Sequence, residues 1–113
     1  MDLLKRLDEL RELPQGWNSY NSYPISEKAI QKVMEACNEH GFHQKGTPKL
    51  VPTVGGGVQM EWHEGEVDLE VNFTEDNKTK WHAWDVYTGE ESSGTLEDEL
   101  TALMHLFDKM SIL

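Results

Sequence analysis

The sequence predicts an α+β domain, a four-stranded antiparallel meander with helices packed on one face, in the order α-α-β-β-β-β-α. Three observations carry that prediction. Residues 57–63 and 66–73 alternate apolar and polar side chains, the period of a half-buried strand. Glu64-Gly65 and Glu75-Asp76-Asn77-Lys78 interrupt the alternation with residues suited to tight turns. Apolar residues near both ends of the chain recur at helical spacing instead. With 113 residues the chain is sized for one domain, 1–113, with a modest core.

The first helix is read from Leu3, Leu4, Leu7 and Leu10, with Asp2 capping its first turn and Pro14 disfavouring helix at the residue before it. A turn-rich aromatic stretch follows, in which Trp17, Tyr20 and Tyr23 are expected to plug the loop onto the helices. Ser26 caps a second helix that turns Ala29, Ile30, Val33 and Cys37 inward. Gly41 ends it in the left-handed position, and Phe42 folds back on it. The first strand, residues 50–54, contains Pro52 and so belongs at a sheet edge. Gly55-Gly56-Gly57 turns it into the second strand. Residues 81–87 make the fourth strand, residues 88–94 a loop, and Thr95 caps a last helix whose apolar stripe is Leu96, Leu100, Leu103, Phe107 and Met110. The expected core is Met60, Trp62, Val67, Leu69, Val71, Trp84, Val86, Leu100, Leu103 and Phe107.

Pairing across Glu64-Gly65 sets Val58 against Val71, Met60 against Leu69 and Trp62 against Val67. It also sets Glu61 opposite Asp68 and Gln59 opposite Glu70. Pairing across Asp76-Asn77 adds Asp85, so the outer face reads Glu61, Asp68, Asp85, with Glu70 diagonal and Trp81 and Tyr87 at the two ends of the fourth strand. Like charges directly opposite one another are destabilising. Folding alone does not ask for them, so these six residues form the candidate partner-binding face. A charged sheet face that only keeps the chain in solution would read the same way.

Composition narrows the partners. There are 21 acidic and 10 basic residues, a formal net charge of -11, and 37% hydrophobic residues. That balance repels nucleic-acid phosphates and anionic membranes and attracts basic proteins or cations. No apolar run reaches the length of a bilayer, and the first residues lack the apolar stretch of a secretory signal, so the expected location is the cytoplasm. Cys37 is the sole cysteine, which excludes an internal disulfide.

The motifs Leu13-Pro14-Gln15-Gly16-Trp17-Asn18-Ser19-Tyr20, Pro24-Ile25, Pro52-Thr53-Val54-Gly55-Gly56-Gly57-Val58-Gln59-Met60-Glu61-Trp62-His63 and Asp68-Leu69-Glu70 resemble a group of small bacterial and mobile-element proteins. The resemblance covers about residues 13–73. It implies a bacterial or phage origin, and no activity, cofactor or catalytic residue. Small acidic proteins of such origin include antitoxins and inhibitors of defence nucleases, the anti-CRISPR type among them.

Other chemistries fit less well. His63 is placed on the outer face and His82 on the inner one, while His40 and His43 straddle a helix end, so no zinc pair is expected. Asp68-Leu69-Glu70 has the paired acids of metal nucleases, but Asn72 stands where their lysine would be. Gly55-Gly56-Gly57 lacks the ending of a phosphate loop. The resulting expectation is a non-enzymatic interaction module, an inhibitor or antitoxin docking its acidic face on a basic, nucleic-acid-handling protein, without metal or cofactor. The competing readings are a metal-dependent hydrolase using Glu61, Asp68, Glu70 and Asp85, and a subunit of a larger assembly. The fourth strand, from Trp81 to Tyr87, is expected at a sheet edge, where a second copy could pair with it as a homodimer.

Overall fold

The computed structural model describes residues 2–110 and shows three helices and a five-stranded antiparallel sheet. In chain order these are α1 (Leu3–Arg11), α2 (Glu27–His40), a 3₁₀ turn (Phe42–Gln44), β1 (Lys49–Pro52), β2 (Val58–Glu64), β3 (Val67–Phe73), β4 (Lys80–Asp85), β5 (Glu91–Thr95) and α3 (Leu100–Lys109). The strands lie side by side in sequence order, so every connection is local.

The helices form where their caps allow. The Lys5 amide donates to Asp2 Oδ1 at 3.1 Å, and the Ala29 amide donates to Ser26 Oγ at 3.3 Å, each satisfying a helix N–H that has no intrahelical acceptor. Gly41, with φ of 67°, closes α2, and Phe42 is fully buried behind it. Leu7 and Leu10 of α1, Ile30 and Val33 of α2 and Leu103 and Phe107 of α3 enter one apolar cluster with the inner residues of β2 and β3. Burial alternates along both strands, with Val58, Met60 and Trp62 and then Val67, Leu69, Val71 and Phe73 inside.

Both predicted turns close differently. The β2–β3 loop is Gly65-Glu66, which pairs Met60 with Val71, Trp62 with Leu69 and Glu61 with Glu70. Gly65 has φ of 61°, and a two-residue hairpin loop wants that conformation at its first position. Centring the turn on Glu64-Gly65 would have put a glutamate there. The shift is by two residues, so each side chain keeps its face.

The β3–β4 connection shifts by one residue, and that reverses β4. Leu69 pairs with Ala83 and Val71 with Trp81, so Trp81 and Ala83 face the core while His82 and Trp84 face out. Trp84 and Val86 are therefore not core residues, and Val86 is half exposed. Lys32 of α2 holds the connecting loop by donating to the Thr74 and Asp76 carbonyls, and the Thr79 amide donates to Glu97 Oε1.

Residues 91–95, expected within a loop and a helix cap, form β5 along β4, with Ala83 opposite Ser92 and Trp81 opposite Gly94. A Cβ on Gly94 would lie 2.8 Å from the Trp81 ring and 2.9 Å from Glu99 Cβ, so only glycine lets the strand close over that indole. The fourth strand is thus an interior strand, and the homodimer expected through its edge has no edge to use. Helix α3 starts at Leu100 rather than just after Thr95. Residues 95–99 form a preceding turn in which the Asp98 amide donates to Thr95 Oγ1 at 3.1 Å. Trp17 is half-buried and its Nε1 donates to the Tyr23 carbonyl at 3.0 Å, closing the loop, whereas Tyr20 and Tyr23 do not plug it. Tyr20 is 81% exposed and Tyr23 is exposed too, while Ser22 and Ile25 are the buried residues of that segment. No helix among the described residues is long and apolar enough to cross a membrane.

Candidate functional site: the outer sheet face

Because the helices cover one side of the sheet, the other side presents every second residue of five strands to solvent. The registers place Lys49, Glu61, Glu70, His82 and Ser93 in one cross-strand row. Beside it run His63, Asp68, Trp84 and Glu91. On the other side Gln59, Asn72 and Lys80 continue the face.

Glu61 and Glu70 are direct cross-strand neighbours, a like-charge pair that the β-ladder itself disfavours. Gln59 relieves part of that repulsion, its Nε2 donating to Glu61 Oε2 at 2.5 Å and to Glu70 Oε2 at 2.8 Å. His63 serves the same end from the hairpin. Its Nδ1 lies 3.1 Å from Asp68 Oδ1 and its Nε2 3.4 Å from Glu61 Oε1. The hydrogen bond to Asp68, supported by Glu61, holds the imidazole pKa above its ordinary value against the opposing effect of burial. A second imidazole, His82, stacks on Trp84 with centroids 4.2 Å apart and planes 13° apart. Glu91 Oε1 accepts from Trp84 Nε1 at 2.7 Å and stands 3.5 Å from His82 Nε2, which is buried without a hydrogen-bond partner.

The predicted site residues divide. Glu61, Asp68 and Glu70 do share the open face, with Glu70 rather than Asp68 opposite Glu61. Asp85 leaves the row because of the reversal of β4. Its partner in the register is the inward-facing Val67, and its Oδ2 lies 2.9 Å from Lys109 Nζ of α3. Its Oδ1 accepts from the Tyr87 and Thr88 amides at 2.9 and 3.0 Å. Lys109 and those two amides lower its pKa to about 2. Asp85 therefore ties the β4–β5 turn to α3. Trp81 is only 3% exposed and can contact no partner. Tyr87, 79% exposed, lies in the turn beyond the end of β4. Trp84, His82 and Glu91 take the places on the face expected for Trp81 and Asp85.

The face therefore interleaves carboxylates with imidazoles. Among the described residues no three His, Cys, Asp or Glu side chains converge to hold a metal ion. Cys37 is buried on α2, where burial pushes its thiol pKa up, and it serves as packing.

The imidazole makes stability depend on pH. His63 has a raised folded-state pKa, so its contribution is fully present below the unfolded value of about 6.5. It is lost as pH rises through the folded value. Urea unfolding from pH 5.5 to 8 should show wild-type stability falling over that window relative to a His63→Gln variant. Parallel curves for the two proteins would mean that the imidazole makes no such bonds in solution. Compared with protein-family models, curated proteins and solved structures, the chain matches none of them.

Proposed function

We propose that this protein is a small acidic interaction module of bacterial or phage type, an inhibitor or antitoxin that docks its outer sheet face on a basic, nucleic-acid-handling protein. The observation that carries the reading is the Glu61–Glu70 pair on an uncovered sheet face. Two carboxylates directly opposite disfavour the hairpin, and Gln59 and His63 moderate the repulsion. A cationic side chain from a partner would relieve it. Trp84 beside them belongs to a residue type enriched among binding hot spots, and the net charge of -11 steers basic surfaces toward the protein. The hydrolase alternative would draw on Glu61, Asp68, Glu70 and Asp85, of which Asp85 is tied instead to Lys109 of α3.

The test is capture of the partner with tagged protein from the native host, followed by titration of the purified pair. A Glu61→Gln/Glu70→Gln/Glu91→Gln variant should bind at least about tenfold more weakly, equivalent to about 1.4 kcal/mol. Wild-type affinity should fall as salt is raised. A Glu9→Gln/Glu12→Gln/Glu35→Gln variant on the helices should bind as wild type does. Equal losses from the two sets would show that the face is no docking site and that only net charge matters.

A further inference from the structure

The two margins of the sheet are finished differently. The Asp85 amide donates to the Glu90 carbonyl at 2.8 Å and the Leu96 amide to the Thr79 carbonyl at 2.9 Å. In an antiparallel ladder this parity turns the backbone groups of residues 90, 92, 94 and 96 toward β4. Those of Glu91, Ser93 and Thr95 point outward. Thr95 is closed by its own turn, since its amide donates to Glu99 Oε2 at 2.6 Å and its carbonyl accepts from the Glu99 amide at 2.8 Å. Glu91 and Ser93 have no backbone partner among the described residues. At the other margin the Thr53 amide donates to the Gly57 carbonyl, so Leu50 and Pro52 of β1 point outward. That edge is blunted, because Arg6 Nε and Nη2 donate to the Leu50 carbonyl at 3.0 and 2.9 Å and Pro52 has no N–H.

We propose that the open edge of β5, at residues 91–93, is a strand-addition site for an extended basic segment of a protein partner. An incoming strand would exchange backbone bonds with Glu91 and Ser93. Its residue opposite Glu91 would lie beside that carboxylate, on the same face as Trp84. Charge selects the occupant. Glu90 and Glu91 are exposed at one end of the edge and Glu99 lies against Gly94 and Thr95 at the other, and a second copy would bring the same residues and another net charge of -11 against them. A strand with lysine or arginine at alternate positions meets complementary charge. The basic character of the partner rests on the docking reading above, whereas the open edge rests on backbone geometry.

The probe is a capped Lys-Val-Lys-Val-Lys-Val peptide, with a Glu-Val counterpart, followed by amide hydrogen exchange resolved by residue. Near-saturating basic peptide should slow exchange at Glu91 and Ser93 by about tenfold or more, and the acidic peptide should not. Ser93→Pro removes an amide that faces away from β4, so the sheet should remain and the protection vanish. Should that variant fail to fold, a peptide N-methylated on the amides of one edge replaces it and should lose binding. Shifts confined to Glu61 and Glu70 would overturn the edge site while leaving face docking in place. Equal protection by both peptides would overturn the basic assignment. A doubling of mass by light scattering that Ser93→Pro abolishes would assign the edge to a second copy instead.

Discussion

Trp62→Ala should lower the free energy of unfolding by about 3 to 5 kcal/mol, the range for deleting a large buried aromatic. That is a large share of the roughly 5 to 15 kcal/mol that holds a typical domain folded. Trp62 is fully buried where the layers meet, with its ring 4.9 Å from Phe107 of α3 and 6.1 Å from Phe42, both edge-on. Its Nε1 donates to the Lys45 carbonyl at 2.6 Å, fastening the loop after the 3₁₀ turn to β2. Trp62→Phe retains most of the packing but leaves that carbonyl without its donor, so it should lose less, on the order of 1 to 3 kcal/mol. Urea unfolding of the two variants orders these effects. A loss below about half a kcal/mol for Trp62→Ala, the range of surface positions, would place the indole outside the core.

Gly65→Ala is the second large effect. The residue holds a left-handed conformation that would strain an alanine by about 1 to 3 kcal/mol. An added Cβ would also lie 2.5 Å from the Met110 carbonyl oxygen, where α3 ends against the hairpin. Overpacking of that kind adds about 1 to 3 kcal/mol more. Gly89 separates the two contributions, because its φ is 74° but nothing lies within 4 Å of its missing Cβ. Gly89→Ala should therefore show the strain alone, and the difference between the two variants measures the helix–hairpin contact. Equal losses would mean that the end of α3 does not rest on the turn.

Where the chain carries its own local chemistry, sequence and structure agree. Asp2, Ser26 and Gly41 bound their helices because caps act within one turn of chain, and Ala29, Ile30, Val33 and Cys37 face inward because helical spacing orders them. In β2 and β3 the apolar set occupies one parity only, so even a two-residue error in register left Glu61, Asp68 and Glu70 on the open face. In β4 the pattern is ambiguous. Trp81 and Ala83 make one plausible inner face, Trp84 and Val86 another, and a single residue in the preceding loop decides between them. The misplacement of Asp85, Trp81 and His82 follows from that one residue. β5 gives no hydrophobic signal, since the positions on its inner parity are Ser92, which is exposed, and Gly94, kept without a side chain because the Trp81 ring fills the space beneath it.

By itself the sequence determined the α+β class, the three helices, the apolar faces of β2 and β3 and the acidic character of the surface opposite them. Those properties follow from side-chain periodicity, caps and charge, which act over a few residues. Only the tertiary structure decided the phase of β4, the existence of β5 and the grouping of His63, His82, Trp84 and Glu91 with the Glu61–Glu70 pair. Each depends on which indole the helices and Gly94 can enclose, a packing choice between segments distant in the chain that period two leaves degenerate.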